Sequence, residues 1–393
     1  MTFTEPKDDL RLLAAVTAAY TIGVLGGNMQ PLVIGALIDG LGMEAGSAGL
    51  LSSMELTAVA LAAFILAPRM AAIPRRTVIL AGAALAALGY AGSMRVQSFG
   101  ALSVYRVIAG TGAGMVLAVG NATVSACRQP DRIFAQMTVV GTLLITAVLA
   151  LLPWAISGYS YRGGYAGMAL VVCAMAPFLF WIPDKVALGT ERSGAAAART
   201  RLGVSTAAAA ALLFFGQSAM WAFSERIALA AQLNTAQIGL ALSGSTLAGL
   251  CGAFGASWFG LRRGRLLPLT AGILATGGTL LALVYTRTPL AYTAVLVLNG
   301  VAYLFMVPYV MGTAAALDPH GRWAAATVGA ATIGAALGPG VAGKLVAAAG
   351  YTAVGWIIFA AALLSAAAVA PVGRALDRTS AEEAVLASPA GSF

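Results

Sequence analysis

Arg106-Val-Ile-Ala-Gly110-Thr-Gly112-Ala-Gly114 lies inside a long apolar stretch of this 393-residue chain and places a positive charge among residues suited to lipid. A charged side chain at membrane depth is costly, so it faces protein or water and marks a candidate functional site. Gly110 and Gly114 lie four residues apart on one helix face, where they let a second helix backbone come close. We therefore expect Arg106 either to bind a solute or to pair permanently with a neighbouring carboxylate.

The composition is that of a membrane protein. Apolar residues make up 60% of the chain, whereas Asp, Glu, Lys and Arg make up only 9%. A soluble domain carries about 25% charged residues. Apolar runs of about 20 residues recur, and each is long enough to cross a hydrocarbon core. The runs are continuous rather than alternating, which favours helices over a membrane β-barrel.

Twelve apolar segments are predicted, with short polar, turn-rich breaks between them. They cover residues 12–38, 46–67, 77–97, 100–126, 133–157, 163–183, 206–231, 235–259, 266–285, 289–316, 323–348 and 351–373. The longest break is basic and rich in Ser, Gly and Ala, which is typical of a linker. The predicted domains are a bundle at 1–184, a linker at 185–205, a bundle at 206–375 and a tail at 376–393.

An internal repeat relates the two predicted bundles. An offset of 190 residues aligns Gly110 with Gly300 and Tyr161 with Tyr351. Seventeen of the 23 Lys and Arg residues fall on the side of the membrane that holds the N-terminus. Because positive loops stay in the cytoplasm, we expect both termini to be cytoplasmic and the location to be the inner membrane. The net charge of +9 is then a topology signal rather than a nucleic-acid footprint.

The Arg106 motif, the twelve segments with a central linker, and basic loops after segments two and eight together resemble the major facilitator superfamily. The resemblance covers nearly the whole chain. It implies an all-α polytopic membrane protein with twelve transmembrane helices in two pseudo-symmetric six-helix bundles. The acidic residue of the family's loop pattern is missing from both loops, and Phe259 takes its place in the second. The predicted gating residues of these cytoplasmic loops are Arg75, Arg76, Arg262, Arg263 and Arg265.

The resemblance also implies that helices one, four, seven and ten line a central cavity. Polar and aromatic side chains at mid-depth in these helices are the predicted substrate-binding residues. They are Arg106, Asn28, Gln30, Gln217, Trp221, Asn299 and Tyr303. Amides and aromatic rings suit a small-molecule site near the middle of the membrane. The alternative is that the amides only hydrogen-bond one helix to another.

Glu55 and Glu225 are the predicted proton-coupling residues. Glu55 lies at a depth similar to that of Arg106, so an anion that binds Arg106 would take it from Glu55 and favour protonation of the carboxylate. A permanent structural ion pair is the alternative. Glu225 and Arg226 are neighbours and point about 100° apart on the helix, so at most one of them faces the cavity.

These features predict a secondary active transporter that works by alternating access. Proton-coupled movement of a small organic anion leads, because a deep arginine suits a carboxylate. Proton-coupled export of an amphipathic or drug-like compound is the alternative. The single histidine, His320, and the lack of a phosphate-binding loop argue against a metal site, a cofactor, ATP-driven transport and an enzyme. The expected partners are the solute, protons and the lipid bilayer, and we expect a monomer.

Overall fold

The computed structural model describes residues 6–70, 72–127, 129–184, 200–262, 264–318 and 321–387. Over these residues the chain forms ten long helices, each long and apolar enough to cross a membrane. They are α1 (Pro6–Leu41), α2 (Ala45–Leu66), α3 (Arg75–Ser93), α4 (Phe99–Ser125), α5 (Pro130–Met175), α6 (Thr200–Ala230), α7 (Thr235–Phe259), α8 (Leu266–Leu283), α9 (Pro289–Ala316) and α10 (Arg322–Ala387). The protein is therefore an all-α, multi-pass membrane protein.

Two of the helices bend at a single non-helical residue. Ser160 in α5 has φ 53° and ψ −147°, and Gly350 in α10 has φ 78° and ψ 172°. A positive φ is easy for glycine but strained for serine. Both residues lie where hydropathy predicts a boundary, between segments five and six and between segments eleven and twelve.

Side-chain caps help to begin three of the helices. Ser98 accepts a hydrogen bond from the Ala101 N–H at 3.4 Å and begins α4. Thr288 caps α9 in the same way. Asn234 and Gln237 form a reciprocal pair at the start of α7, in which each side chain accepts from the other residue's backbone N–H. These bonds satisfy backbone donors that have no partner inside the helix.

The glycines of α4 bring neighbouring helices into backbone contact. A Cβ added at Gly110 would collide with the carbonyl oxygen of Glu55, and one at Gly114 with the carbonyl oxygen of Val59. Both contacts are with α2. Gly112 instead faces α3. The predicted close approach of a second helix along Gly110 and Gly114 is confirmed.

The helices form two groups along the chain. Within α1–α5, α3 and α2 pack on α4, and α1 packs on α5. Within α6–α10, α7 packs on α9, and α10 packs on α6 and α8. The contacts between the groups join α2 to α10, α5 to α7 and α1 to α6.

Two helices extend into the predicted linker and tail. α6 begins at Thr200, inside the predicted linker, and α10 continues to Ala387, inside the predicted tail. Helical hydrogen bonding does not require apolar side chains, so a helix can continue past the end of an apolar run. The remainder of the predicted linker, residues 185–199, lies outside the described residues.

Candidate substrate-binding cavity

A cavity of about 360 Å³ lies between the two groups of helices. Its wall combines aromatic rings, amides and hydroxyls with small and aliphatic residues. The polar and aromatic lining residues are Tyr20, Asn28, Gln30, Thr142, Phe214, Gln217, Ser218, Trp221, Ser245, Thr246 and Tyr303. Among the described residues, no Asp, Glu, Lys or Arg lines this cavity. The wall is thus polar but uncharged.

Five of the seven predicted substrate-binding residues line the cavity. They are Asn28, Gln30, Gln217, Trp221 and Tyr303. They lie on α1, α6 and α9, which meet at this depth. The indole N–H of Trp221 donates to the Asn28 carbonyl oxygen at 3.2 Å and ties α6 to α1 beside the cavity.

Helix α1 continues through Pro31 without a break. Proline has no N–H, so the carbonyl of Gly27, four residues earlier, lacks its helical donor. Gly27 lines the cavity. The backbone as well as the side chains can therefore offer an acceptor on this part of the wall.

Asn299 lies behind the wall rather than on it, and only 2% of its surface is exposed. Its amide oxygen accepts a hydrogen bond from Gln217 Nε2 at 3.1 Å. Its own Nδ2 donates to Thr279 Oγ1 at 3.0 Å. Asn299 thus supports a cavity residue from outside.

Arg106 does not line the cavity. It forms an ion pair with Glu55, and both residues are buried, with 2% and 1% exposure. The Tyr90 hydroxyl donates to Glu55 Oε1 at 3.0 Å. The guanidinium carbon also lies 5.2 Å from the Tyr90 ring centroid and 5.0 Å from that of Tyr165. Four helices thus enclose the pair, since these residues come from α2, α3, α4 and α5.

The ion pair lies directly behind the cavity wall. A Cβ added at Gly26 of α1 would collide with the Glu55 carboxylate. The next residues along each helix, Gly27 and Leu56, line the cavity, and a Cβ added at Gly27 would lie 3.5 Å from Leu56 Cδ2. A single layer of α1 and α2 residues separates the ion pair from the cavity.

Glu225 lies away from the cavity, near the end of α6. Its carboxylate pairs with the neighbouring Arg226 at 2.6 Å. Arg226 also donates to both carboxylate oxygens of Asp39, at 2.7 and 2.5 Å. The guanidinium therefore joins α6 to the end of α1, where two carboxylates share it.

No family model matches the sequence, and no curated protein matches it. Solved structures do match. A crystal structure of a point mutant of the nucleoside transporter NupG aligns over 92% of this chain and 99% of its own, at 14% identity and a TM-score of 0.72. The human organic anion transporter MFSD10 (TETRAN) aligns over 93% of this chain and 100% of its own, at 18% identity and a TM-score of 0.62. This chain has the major facilitator superfamily fold. The predicted resemblance to this superfamily is confirmed at the level of the fold.

The arginines of the two basic loops are the predicted gating residues, and those with described contacts bond within one half of the molecule. Arg75 is buried, and its Nε donates to the Met70 carbonyl oxygen at 3.3 Å. Arg76 donates to the Ile182 carbonyl oxygen at 3.2 Å. Their gating role remains a prediction.

The second basic loop is held against the end of α10. The Arg265 backbone N–H donates to Asp377 Oδ1 at 2.7 Å, and its side chain donates to the Gly312 carbonyl oxygen at 3.1 Å. Arg262 is exposed, and Arg263 lies outside the described residues. A gating role for this loop likewise remains a prediction.

Several further residues line the cavity that the depth and polarity of the sequence do not single out. Tyr20, Thr142, Phe214, Ser218, Ser245 and Thr246 are among them. A helical period could have found Tyr20, since it lies eight residues before Asn28 on the same face of α1. The hydroxyl residues had no comparable signal, because Ser and Thr are common in membrane helices at contacts with other helices.

Proposed function

We propose that this protein is a secondary active transporter that carries a small organic solute through the cavity by alternating access. The position of the cavity carries the proposal. Its wall combines residues of α1, α2 and α5 with residues of α6, α7, α9 and α10. A site between two packed groups of helices can open to either side of a membrane when the groups rock against each other.

In this proposal residues 1–184 and 206–375 are two six-helix bundles, joined by the linker at 185–205 and followed by the tail at 376–393. The bends at Ser160 and Gly350 support counting α5 and α10 as two crossings each, which makes twelve. An even number of crossings places both termini on one side. The Lys and Arg distribution supports the cytoplasmic side of the inner membrane.

The contacts between the bundles support a state that is closed on the outer side. Asp39 pairs with Arg226 there. The Gly340 N–H donates to Ser53 Oγ at 2.8 Å and joins α10 to α2. Both contacts lie in the half of the molecule nearest the connection between α1 and α2, which the topology places outside the cell.

An uncharged solute fits the cavity best. The described wall offers amides, hydroxyls and aromatic rings but no charged side chain. Hydrogen-bonding groups orient a solute, and rings such as Trp221 and Phe214 provide apolar contact area. A nucleoside, the solute named for one of the structural relatives, is an uncharged ring compound of this kind and is a suitable first probe.

Proton-coupled movement of an organic anion is the second candidate. It is favoured by Arg106 Nη1, which is buried without a hydrogen-bond partner and lies one layer behind the wall. An anion that reached Arg106 would replace Glu55, and Glu55 would then take up a proton. The other structural relative is named as an organic anion transporter.

Flux in proteoliposomes tests the proposal. The panel contains uridine, a sugar, a set of organic acids and a lipophilic cation, each with and without a pH gradient. We expect saturable flux of an uncharged compound. A pH-dependent acid signal that Arg106→Ala abolishes would select the anion candidate. A lipophilic-cation signal that persists in Arg106→Ala would favour the alternative, proton-coupled export of an amphipathic or drug-like compound. Binding without flux for every solute that binds would contradict transport.

Trp221→Ala should reduce that flux at least about tenfold, because the ring provides wall area and its N–H ties α6 to α1. Trp258→Ala is the matched control, since this tryptophan is 70% exposed near the end of α7 and does not line the cavity. Equal flux in the two variants would show that Trp221 does not contribute to solute binding in the cavity.

A further inference from the structure

Several hydrogen-bond donors of the cavity wall are used inside the protein. Asn28 Nδ2 donates to the Val24 carbonyl oxygen at 2.9 Å, four residues earlier in α1. The Trp221 indole donates to the Asn28 carbonyl oxygen. Because the Val24 carbonyl oxygen can only accept a hydrogen bond, the Asn28 side chain must present its Nδ2 to that oxygen. Asn28 Nδ2 thus donates within α1, and Asn28 Oδ1 remains available as an acceptor.

Two hydroxyl groups of the wall also donate to backbone carbonyl oxygens. Ser245 Oγ donates to the Leu296 carbonyl oxygen at 2.7 Å, and Thr246 Oγ1 donates to the Leu242 carbonyl oxygen at 2.9 Å. A hydroxyl has one proton, so each of these oxygens retains only acceptor capacity. The hydroxyls of other wall residues, such as Tyr303, can rotate either to donate or to accept.

Two amide oxygens of the wall have no partner. Gln30 Oε1 and Gln217 Oε1 are both buried and make no hydrogen bond. Among the described residues no hydrogen bond sets the orientation of the Gln30 amide, so the selectivity inferred below depends on Gln217. A buried polar atom without a partner is costly, and its presence in a cavity wall points to a ligand that provides the missing bond. The missing partner of an oxygen is a donor.

A chain of hydrogen bonds sets the orientation of Gln217. Thr279 Oγ1 gives its one proton to carbonyl oxygens of its own helix, at 2.9 Å. It can therefore only accept from Asn299, which must present Nδ2 to it. Asn299 then presents Oδ1 to Gln217, which must present Nε2 in turn. The amide oxygen of Gln217 is therefore left to accept a hydrogen bond from a solute.

We propose that the cavity selects solutes that donate hydrogen bonds, and that Asn299 and Thr279 set this selectivity from behind the wall by holding Gln217 as an acceptor. The solute class is an uncharged ring compound with N–H or O–H groups, and carboxylate anions are disfavoured because they only accept. This inference rests on the proposed function, since it concerns the same cavity. Asn299 and Thr279 are positioning residues and do not touch the solute.

Binding of three matched ring compounds to the purified, full-length protein tests the selectivity. 4-Hydroxybenzamide carries N–H and O–H donors, 4-methoxy-N,N-dimethylbenzamide has acceptors only, and 4-methoxybenzoate is the anion. We expect 4-hydroxybenzamide to bind at least about tenfold more tightly than either of the others. Its failure to bind, or binding of either other compound as tightly, would overturn the proposal.

Thr279→Val tests the positioning role. The change removes the hydroxyl but preserves the shape, so the amides of Asn299 and Gln217 become free to turn together. The preference for 4-hydroxybenzamide over the dimethylamide should fall to about twofold or less. Thr279→Ser keeps the hydroxyl and should restore the preference, which separates positioning from packing.

Thr276→Val is the matched control. Thr276 lies one turn away in α8 and is also buried, but its hydroxyl donates only to the Gly272 carbonyl oxygen. Its loss should leave the preference unchanged. An equal loss in Thr276→Val and Thr279→Val would overturn the positioning role.

Flux separates this proposal from the proposed function. If 4-hydroxybenzamide binds with the expected preference but no bound solute crosses a proteoliposome membrane, transport fails and the selectivity stands. If solutes cross without any preference for donors, transport stands and the selectivity fails.

Discussion

α2 packs against α4 at Gly110, and α7 packs against α9 at Gly300, its counterpart at the offset of 190 residues. In the first contact a Cβ on the glycine would meet the carbonyl oxygen of Glu55, and in the second it would meet that of Ser245. The backbone geometry is shared. The side chains differ, because Glu55 pairs with Arg106, whereas Ser245 donates to the backbone carbonyl oxygen at the position corresponding to Arg106, at 2.7 Å.

The difference shows that this close helix contact does not require an ion pair. One neutral hydrogen bond accompanies the same packing in α7 and α9. Burying two charges has a desolvation cost that their attraction does not always offset, so a buried ion pair is weak evidence for a stabilising role. The packing of α2 on α4 therefore does not by itself account for the charges of Glu55 and Arg106.

The largest expected effect is on stability when one charge is removed. Arg106→Leu leaves Glu55 buried without its counter-charge, which should lower the free energy of unfolding by about 3–5 kcal/mol. The double change Glu55→Ser with Arg106→Leu gives this contact the residues of its counterpart and should recover more than half of that loss. Thermal unfolding in detergent measures both. A double variant as unstable as the single one would show that the two contacts are not interchangeable.

Gly110→Ala and Gly300→Ala should have smaller and similar effects. Each added methyl group meets backbone rather than a flexible side chain, so overpacking should lower the free energy of unfolding by about 1–3 kcal/mol. Gly278→Ala is the control, because a Cβ there meets open space, and it should be neutral or stabilising by up to about 1 kcal/mol. The same unfolding assay compares the three variants. A tolerated substitution at only one of Gly110 and Gly300 would break the structural equivalence.

The smallest effect is expected at the ion pair between Asp39 and Arg226. Asp39 is 63% exposed, so Asp39→Asn should lower the free energy of unfolding by only about 0.2–1 kcal/mol. Raising the salt concentration to about 1 M should remove this effect by screening, while the effect of Arg106→Leu persists in its buried site. Unfolding at low and high salt makes the comparison. A salt-insensitive loss in Asp39→Asn would mean that this pair is as shielded as the Glu55–Arg106 pair.

Features that depend on residues near each other in the sequence could be predicted without the structure. Hydropathy placed the apolar helices and marked the bends at Ser160 and Gly350. The spacing of Gly110 and Gly114 predicted a close helix contact. Depth along each helix placed Gln217 and four other predicted residues at the level of the cavity, since residue count along a membrane helix measures depth.

The sequence does not determine what each polar residue faces. Depth and charge predict that Arg106 lies in the cavity, yet it lies behind the wall with Glu55. Depth predicts the same for Asn299, yet it contacts Gln217 from outside the wall. Depth does not determine the rotation of a helix about its axis, and rotation decides whether a side chain meets the cavity or a neighbouring helix.

The amino-acid sequence by itself thus determined that the protein crosses a membrane, where its helices lie and where glycines permit close contact. These properties follow from hydrophobicity and from spacing along one helix. The tertiary structure alone decided that an uncharged cavity lies in front of a buried ion pair. It also decided that Thr279 and Asn299 leave Gln217 as an acceptor, because the direction of a hydrogen bond between helices depends on which side chains their packing brings together.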